Sequence, residues 1–123
     1  MFFMDVEYFR EYCLLKKGVE ECFPFDESTL VFKVMNKMFA LCGLEKHPPA
    51  INLKCDPERS EILRDEFPGA IMPGYHMDKK HWNTVYIESE LDDKLIKELI
   101  DHSYDLIIKS LPKKVQIEWQ NIP

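Results

Sequence analysis

A chain of 123 residues with 46% hydrophobic and 12% aromatic side chains has the material for one packed domain and too little length for two. Its net charge of -6 argues against strong non-specific attraction to nucleic acid or to an anionic membrane, and it has no run of about 20 apolar residues to span a bilayer. Cys13, Cys22, Cys42 and Cys55 lie far apart, without a CxxC pair or zinc-ligand spacing, and read as buried, reduced thiols.

The N-terminal "MFFMDVEYF" has no basic segment and meets Asp5 at once, so it does not read as a signal peptide, and the cytoplasm is the expected location. Asp5 is placed to cap a first helix in which Phe9, Cys13 and Leu14 share a face; Met4 and Phe9 have the spacing of a hydrophobic staple, and Gly18 is the expected C-terminal stop. "CFPFD", "TLVFKVM", "MFALCGL" and "AINLKC" read as strands, short and rich in β-branched or aromatic residues, with Asn36-Lys37 as a tight hairpin turn. "DPERSEILRDEF" opens a second helix with Asp56 as N-cap and Pro57 in the first turn, and Pro68-Gly69 closes it. "AIM" and "TVYIE" are two further strands. In the last helix Asp92 caps, Leu91 and Ile96 staple, and Leu95, Leu99, Ile100, Ser103, Leu106 and Ile107 form an apolar stripe that ends at Leu111-Pro112. Tyr104, beside that stripe, is expected to be half-buried with its hydroxyl in water. The order is α, three or four strands, α, two strands, α. Hairpin-length connections make the sheet antiparallel, and the helices pack on one of its faces, so the class is a two-layer α+β domain spanning 1–123 with a core over about 4–112.

One segment concentrates polar aromatics and bases: "PGYHMDKKHWNTV", Pro73 to Val85. Lys79 and Lys80 can contact phosphates, Tyr75, His76, His81 and Trp82 can stack on bases, and Asn83 can read a base edge. The alternative is structural: Trp82 and Tyr75 as core anchors, Asn83 satisfying turn backbone, and solvated lysines. His76 and His81, five apart, do not form a metal pair on one helix face or one strand side, and no metal or other cofactor is expected. The chain has no nucleophile-elbow, phosphate-loop or zinc-protease motif, which favours a non-catalytic protein.

With "PFD" (Pro24 to Asp26), "VFKV" (Val31 to Val34), "INLKCDPE" (Ile51 to Glu58), "PGYHM" (Pro73 to Met77), "KHWNTV" (Lys80 to Val85) and "SYDL" (Ser103 to Leu106) in this order, the chain resembles the MmcQ/YjbR family over nearly all of residues 4–112. The resemblance implies a CyaY-like, double-wing α+β fold, related in outline to secretion-chaperone-like folds, and the family's usual label of predicted DNA-binding protein. Two expectations about partners follow. One is DNA, held by the Lys79–Asn83 segment; the other is a protein partner or a second copy of the chain on a sheet face or edge, which the negative net charge favours.

Overall fold

A computed structural model describes residues 4–75 and 77–123. The first helix, α1 (Val6–Leu14), starts where Asp5 accepts the Tyr8 N–H at 2.8 Å, and Met4 and Phe9 are both buried, as the staple requires. It ends at Leu14, before Gly18. That glycine has φ 73° and turns the chain into β1 (Val19–Cys22), so it shapes a turn and does not cap the helix.

The first strand therefore precedes "CFPFD" and shares only Cys22 with it. Pro24 has no N–H for a ladder, and Asp26 accepts the N–H groups of Ser28 at 2.9 Å and Thr29 at 2.7 Å, which folds residues 23–28 into a loop. Next come β2 (Thr29–Val34) and β3 (Lys37–Gly43). The hairpin between them turns on Met35 and Asn36, with φ 48° and 67°, one residue before the expected position, because Val34 pairs with Lys37. β4 (Ala50–Lys54), α2 (Pro57–Glu66), β5 (Ile71–Pro73), β6 (Trp82–Tyr86) and α3 (Asp93–Ser110) follow. A further helix, α4 (Lys113–Gln120), lies beyond the expected last element.

The six strands form one antiparallel sheet in the order β1-β2-β3-β4-β6-β5, with α3 across β2, β3 and β4, α1 against β1 and α2 against β5. Period-2 alternation turns Leu30, Phe32, Val34, Ile51, Leu53 and Val85 toward these helices, where Ile96, Ile100 and Ile107 of α3 meet them. Phe9 stands edge-on to Phe32 at 5.3 Å. Tyr104 is buried, not half-buried: its ring packs edge-on against Phe39, and its hydroxyl donates to the Lys17 carbonyl and accepts from Trp119 Nε1 of α4 at 2.9 Å.

The register of β2 and β3 slips between Phe32 and Lys33, so Phe39 is an extra residue. Ser103 of α3 meets it, donating to the Phe39 carbonyl at 2.5 Å and accepting the Lys54 N–H at 2.9 Å. The opposite face carries a smaller cluster of Val31, Leu41 and Trp82, with Cys22, Met38 and Met77 against it. Among the described residues no helical side chain joins that cluster; the face is open in the sense that no described helix lies on it, while Val31, Leu41 and Trp82 are themselves buried. None of the described helices is long and apolar enough to cross a membrane.

Candidate functional site

Neighbouring strands place Val31, Leu41, Asn52, Thr84 and Met72 in one row across the open face, through the pairs Val31–Leu41, Leu41–Asn52, Asn52–Thr84 and Met72–Thr84. Thr29, Gly43, Ala50 and Thr84 are small, and beside Leu41 and Asn52 they leave a recess of about 440 Å³. Phe25, from the β1–β2 loop, stands at the β2 side of the recess, while Tyr75 and Met77, from the β5–β6 loop, stand at the β6 side. Phe25 is 64% and Tyr75 62% exposed, unusual for rings of that size.

Lys46, from the β3–β4 loop, is half-buried, with Nζ 5.0 Å from the Tyr75 ring centre and 5.8 Å from that of Tyr86. On the floor, Thr84 Oγ1 accepts the Tyr75 N–H at 3.0 Å and donates to Asn52 Oδ1 at 2.6 Å. That exchange fixes the Asn52 amide with its NH₂ group free of partners among the described residues, in a side chain that lines the recess.

The β5–β6 loop is held from behind. Gly74 donates to the Trp82 carbonyl at 2.9 Å, and a Cβ on it would stand 2.9 Å from Trp82 Cβ. Arg64 of α2 donates through Nε to Asn83 Oδ1 at 2.8 Å and through its terminal nitrogen to the carbonyls of Lys79 and Trp82. Asp78 accepts the Lys80 N–H at 2.9 Å and pairs with His81 Nδ1 at 2.7 Å; the hydrogen bond to His81, followed by that to Lys80, holds its carboxyl below the usual range.

A family model described as YjbR matches residues 14–106. The chain belongs to the YjbR family. It is 42% identical over 98 residues to YbdF of Escherichia coli O157:H7, covering 80% of each protein, and 33% identical over 111 residues to YjbR of Escherichia coli K12, covering 90% of this chain and 93% of that one. The crystal structure of Deinococcus radiodurans protein DR2400, with the domain DUF419, superposes with a TM-score of 0.90 at 39% identity over 98% of this chain and 91% of that one. A Pseudomonas syringae protein superposes at 0.72 and 30% identity, covering 84% of this chain and 98% of its own. The α+β class and the antiparallel sheet expected from the order of elements and the hairpin-length connections are those of this YjbR-family fold.

In that frame the Pro73–Val85 segment divides. Tyr75 lies on the rim of the recess and is not a core anchor. Trp82 and Asn83 are 8% and 2% exposed, inside β6; Trp82 packs on Val31 and Leu41, and Asn83 is taken up by Arg64, so neither offers a face or an edge to a base. Lys79 and Lys80 are exposed, but they share a shallow hollow with Glu58, Glu61 and Arg64, on the far side of the loop from Tyr75. His81 is tied to Asp78, and His76 lies outside the described residues. Of the rings expected to stack, Tyr75 is exposed, His81 is half-buried and Trp82 is buried.

Phe25, Lys46, Asn52 and Thr84 come from four separate elements and were not expected as site residues. Alternation in "AINLKC" already put Asn52 on the face opposite Ile51 and Leu53, which was the available signal. Cys13, Cys42 and Cys55 are buried, and burial raises all three thiols, Cys42 to about 11, which keeps them protonated; Cys22 is half-buried, and all four are free. Among the described residues no three His, Cys, Asp or Glu side chains converge on a metal position.

Proposed function

We propose that this YjbR-family protein is a non-catalytic binding protein and that its ligand occupies the recess on the open face of the sheet. One observation carries the reading: an apolar hollow of about 440 Å³, within the size range of small-molecule sites, lies on a face that no described helix covers, lined by the exposed rings of Phe25 and Tyr75 and by an Asn52 amide donor with no partner among the described residues. Among the described residues the buried Cys13 and Cys42 thiols are held protonated and the Thr84 hydroxyl is committed to Asn52, which supports binding over catalysis.

Two rivals remain: DNA on Lys79 and Lys80, and a protein partner or second copy on a sheet face or edge. The test combines amide chemical-shift mapping against a panel of aromatic fragments with anisotropy of labelled single- and double-stranded DNA at low and near-physiological salt, and with light scattering. The expected result is fragment shifts at Leu41, Asn52, Tyr75, Met77 and Thr84, no DNA binding and a monomer. Salt-sensitive DNA binding lost in a Lys79→Glu/Lys80→Glu variant, without fragment shifts in the recess, overturns the proposal in favour of DNA. A micromolar dimer whose interface covers the recess overturns it in favour of self-association.

A further inference from the structure

The recess is electrostatically unlike the rest of the protein. The chain carries 22 acids against 16 bases, yet Lys46 is the one charged side chain among the described residues that line the recess, and it has no carboxylate partner among them. Its ammonium instead faces the rings of Tyr75 and Tyr86. A second polar group in the lining is also a donor: the Asn52 amide NH₂ has no partner among the described residues, because Asn52 Oδ1 is already used by Thr84. Thr84 Oγ1, an acceptor on the floor, takes the Tyr75 N–H. Among the described lining residues a ligand meets the Lys46 ammonium and the Asn52 NH₂ as donors, and no carboxylate.

Its walls specify a shape. Phe25 and Tyr75 come from loops on opposite sides of the four-strand floor, and small side chains at Thr29, Gly43, Ala50 and Thr84 leave that floor shallow. Rings stack on exposed rings and lie flat on a sheet of short side chains more readily than branched aliphatic groups do.

We infer that the occupant is a small planar aromatic acid, its ring system between Phe25 and Tyr75, its anionic head at Lys46 and an acceptor on its edge at Asn52. This rests on the recess being the binding site. Charge complementarity supplies the anion, the two exposed rings in the lining favour a planar group, and the volume limits the ligand to a few fused rings.

The experiment titrates 2-naphthoate, its neutral isostere 2-naphthamide and the aliphatic octanoate into the ¹⁵N-labelled protein and into its Lys46→Met and Asn52→Asp variants, reading amide shifts. Methionine keeps the unbranched stem over the two tyrosine rings without the charge, and aspartate keeps the acceptor for Thr84 while reversing the charge at the floor. The expected result is that 2-naphthoate shifts Leu41, Asn52, Tyr75 and Thr84 and binds roughly tenfold more weakly in either variant, as loss of a hydrogen bond to a charged group predicts. The amide and octanoate should bind weakly and be indifferent to Lys46→Met. If 2-naphthamide matches the acid and Lys46→Met changes nothing, the anion preference is wrong while the recess stands as the site. If octanoate matches the acid, the aromatic preference is wrong. If no compound of the three shifts the recess amides although the variants' spectra are those of the folded protein, both the inference and the binding site it rests on fall.

Discussion

Arg64 is the bolt that ties the β5–β6 loop to α2, and its removal tests whether the loop is part of the scaffold. Of its three acceptors, the Lys79 carbonyl is exposed and recovers a water, and the Trp82 carbonyl keeps the Gly74 N–H at 2.9 Å. Only Asn83 Oδ1, in a residue 2% exposed, is left without its partner. Stranding one buried acceptor costs about 1–3 kcal/mol, and the charged donor puts the expected value near 2 kcal/mol for Arg64→Ala. At this chain length that corresponds to a fall in Tm of about 6–10 °C. Asn83→Ala alone should cost less, because the half-buried guanidinium it releases can turn to solvent, and the double variant should cost clearly less than the sum, with a coupling of roughly 1 kcal/mol. Urea unfolding of the four proteins measures this, and hydrogen exchange at Met77 and Trp82 should quicken in both Arg64→Ala proteins. A single-variant cost below about 0.5 kcal/mol, or strict additivity, refutes the reasoning and means that the loop is held by Gly74 and Trp82 alone.

Three further outcomes follow from the same kind of accounting. Ser103→Ala strips the Phe39 carbonyl and the Lys54 N–H of their shared partner and should destabilise by about 2–4 kcal/mol in urea unfolding, more than an average surface serine. Gly74→Ala places a Cβ 3.0 Å from the Trp82 carbonyl oxygen, backbone that cannot yield, and should cost about 1–3 kcal/mol while displacing the Tyr75 and Met77 resonances on the rim. His102 Nε2 accepts the Asp56 N–H at 3.2 Å, so the native ring is neutral there; burial and then Arg59 depress its pKa, against opposing pulls from Glu98, Asp56 and Asp105. A base with a depressed native pKa binds fewer protons folded than unfolded, so stability present above pH about 6.5 is lost as the pH falls through the native value. Midpoints of urea unfolding at pH 7.5 and 5 should show the loss, and His102→Gln, which retains an acceptor for the Asp56 N–H, should flatten it; Asp26 and Asp78 act only at lower pH.

Elements whose ends are chemically marked were readable from sequence. Asp5, Asp56 and Asp92 each cap the helix they announce, accepting the Tyr8, Arg59 and Leu95 N–H groups, and the Met4–Phe9 and Leu91–Ile96 staples are buried at both ends. Where tertiary pairing decides, sequence failed. β1 is Val19–Cys22 because Glu20 and Glu21 suit the edge of the sheet, although "CFPFD" is richer in aromatics; the hairpin turn shifted by one residue because the pairing of Val34 with Lys37 outweighs the reluctance of Met35 to take positive φ. α4 buries no residue fully, and its short stripe of Val115 and Trp119, four apart, was passed over; these two pack on the core, with Trp119 donating to the Tyr104 hydroxyl. The site was missed for a related reason. Clustering along the chain drew attention to Lys79–Asn83, whereas the recess is made by one or two residues each of β2, β3, β4 and β6, brought together by register, and by residues of three loops.

That register also bears on what covers the open face. A partner helix laid across it would gain contact with Leu41, Met77 and Phe25, but its apolar stripe would bury the Asn52 NH₂ without an acceptor, at about 1–3 kcal/mol, and would shut the Lys46 ammonium away from water without a counter-charge. The helix-covered face shows the contrast: there the sheet offers α1 and α3 rows of Leu, Ile, Val and Phe, and the buried hydroxyl of Ser103 is satisfied on both sides. A small acid reverses the sign of both terms on the open face, since its anion pairs with Lys46 and its edge accepts from Asn52, while its ring replaces water over the same apolar atoms. The polar pair Asn52–Thr84 in an otherwise apolar row is therefore the feature that separates a ligand site from a docking face. Asn52→Leu is the substitution that should convert one into the other, lowering affinity for 2-naphthoate and raising the tendency to self-associate in sedimentation at high protein concentration. An unchanged affinity, with the protein still monomeric, would mean that the row does not make that choice.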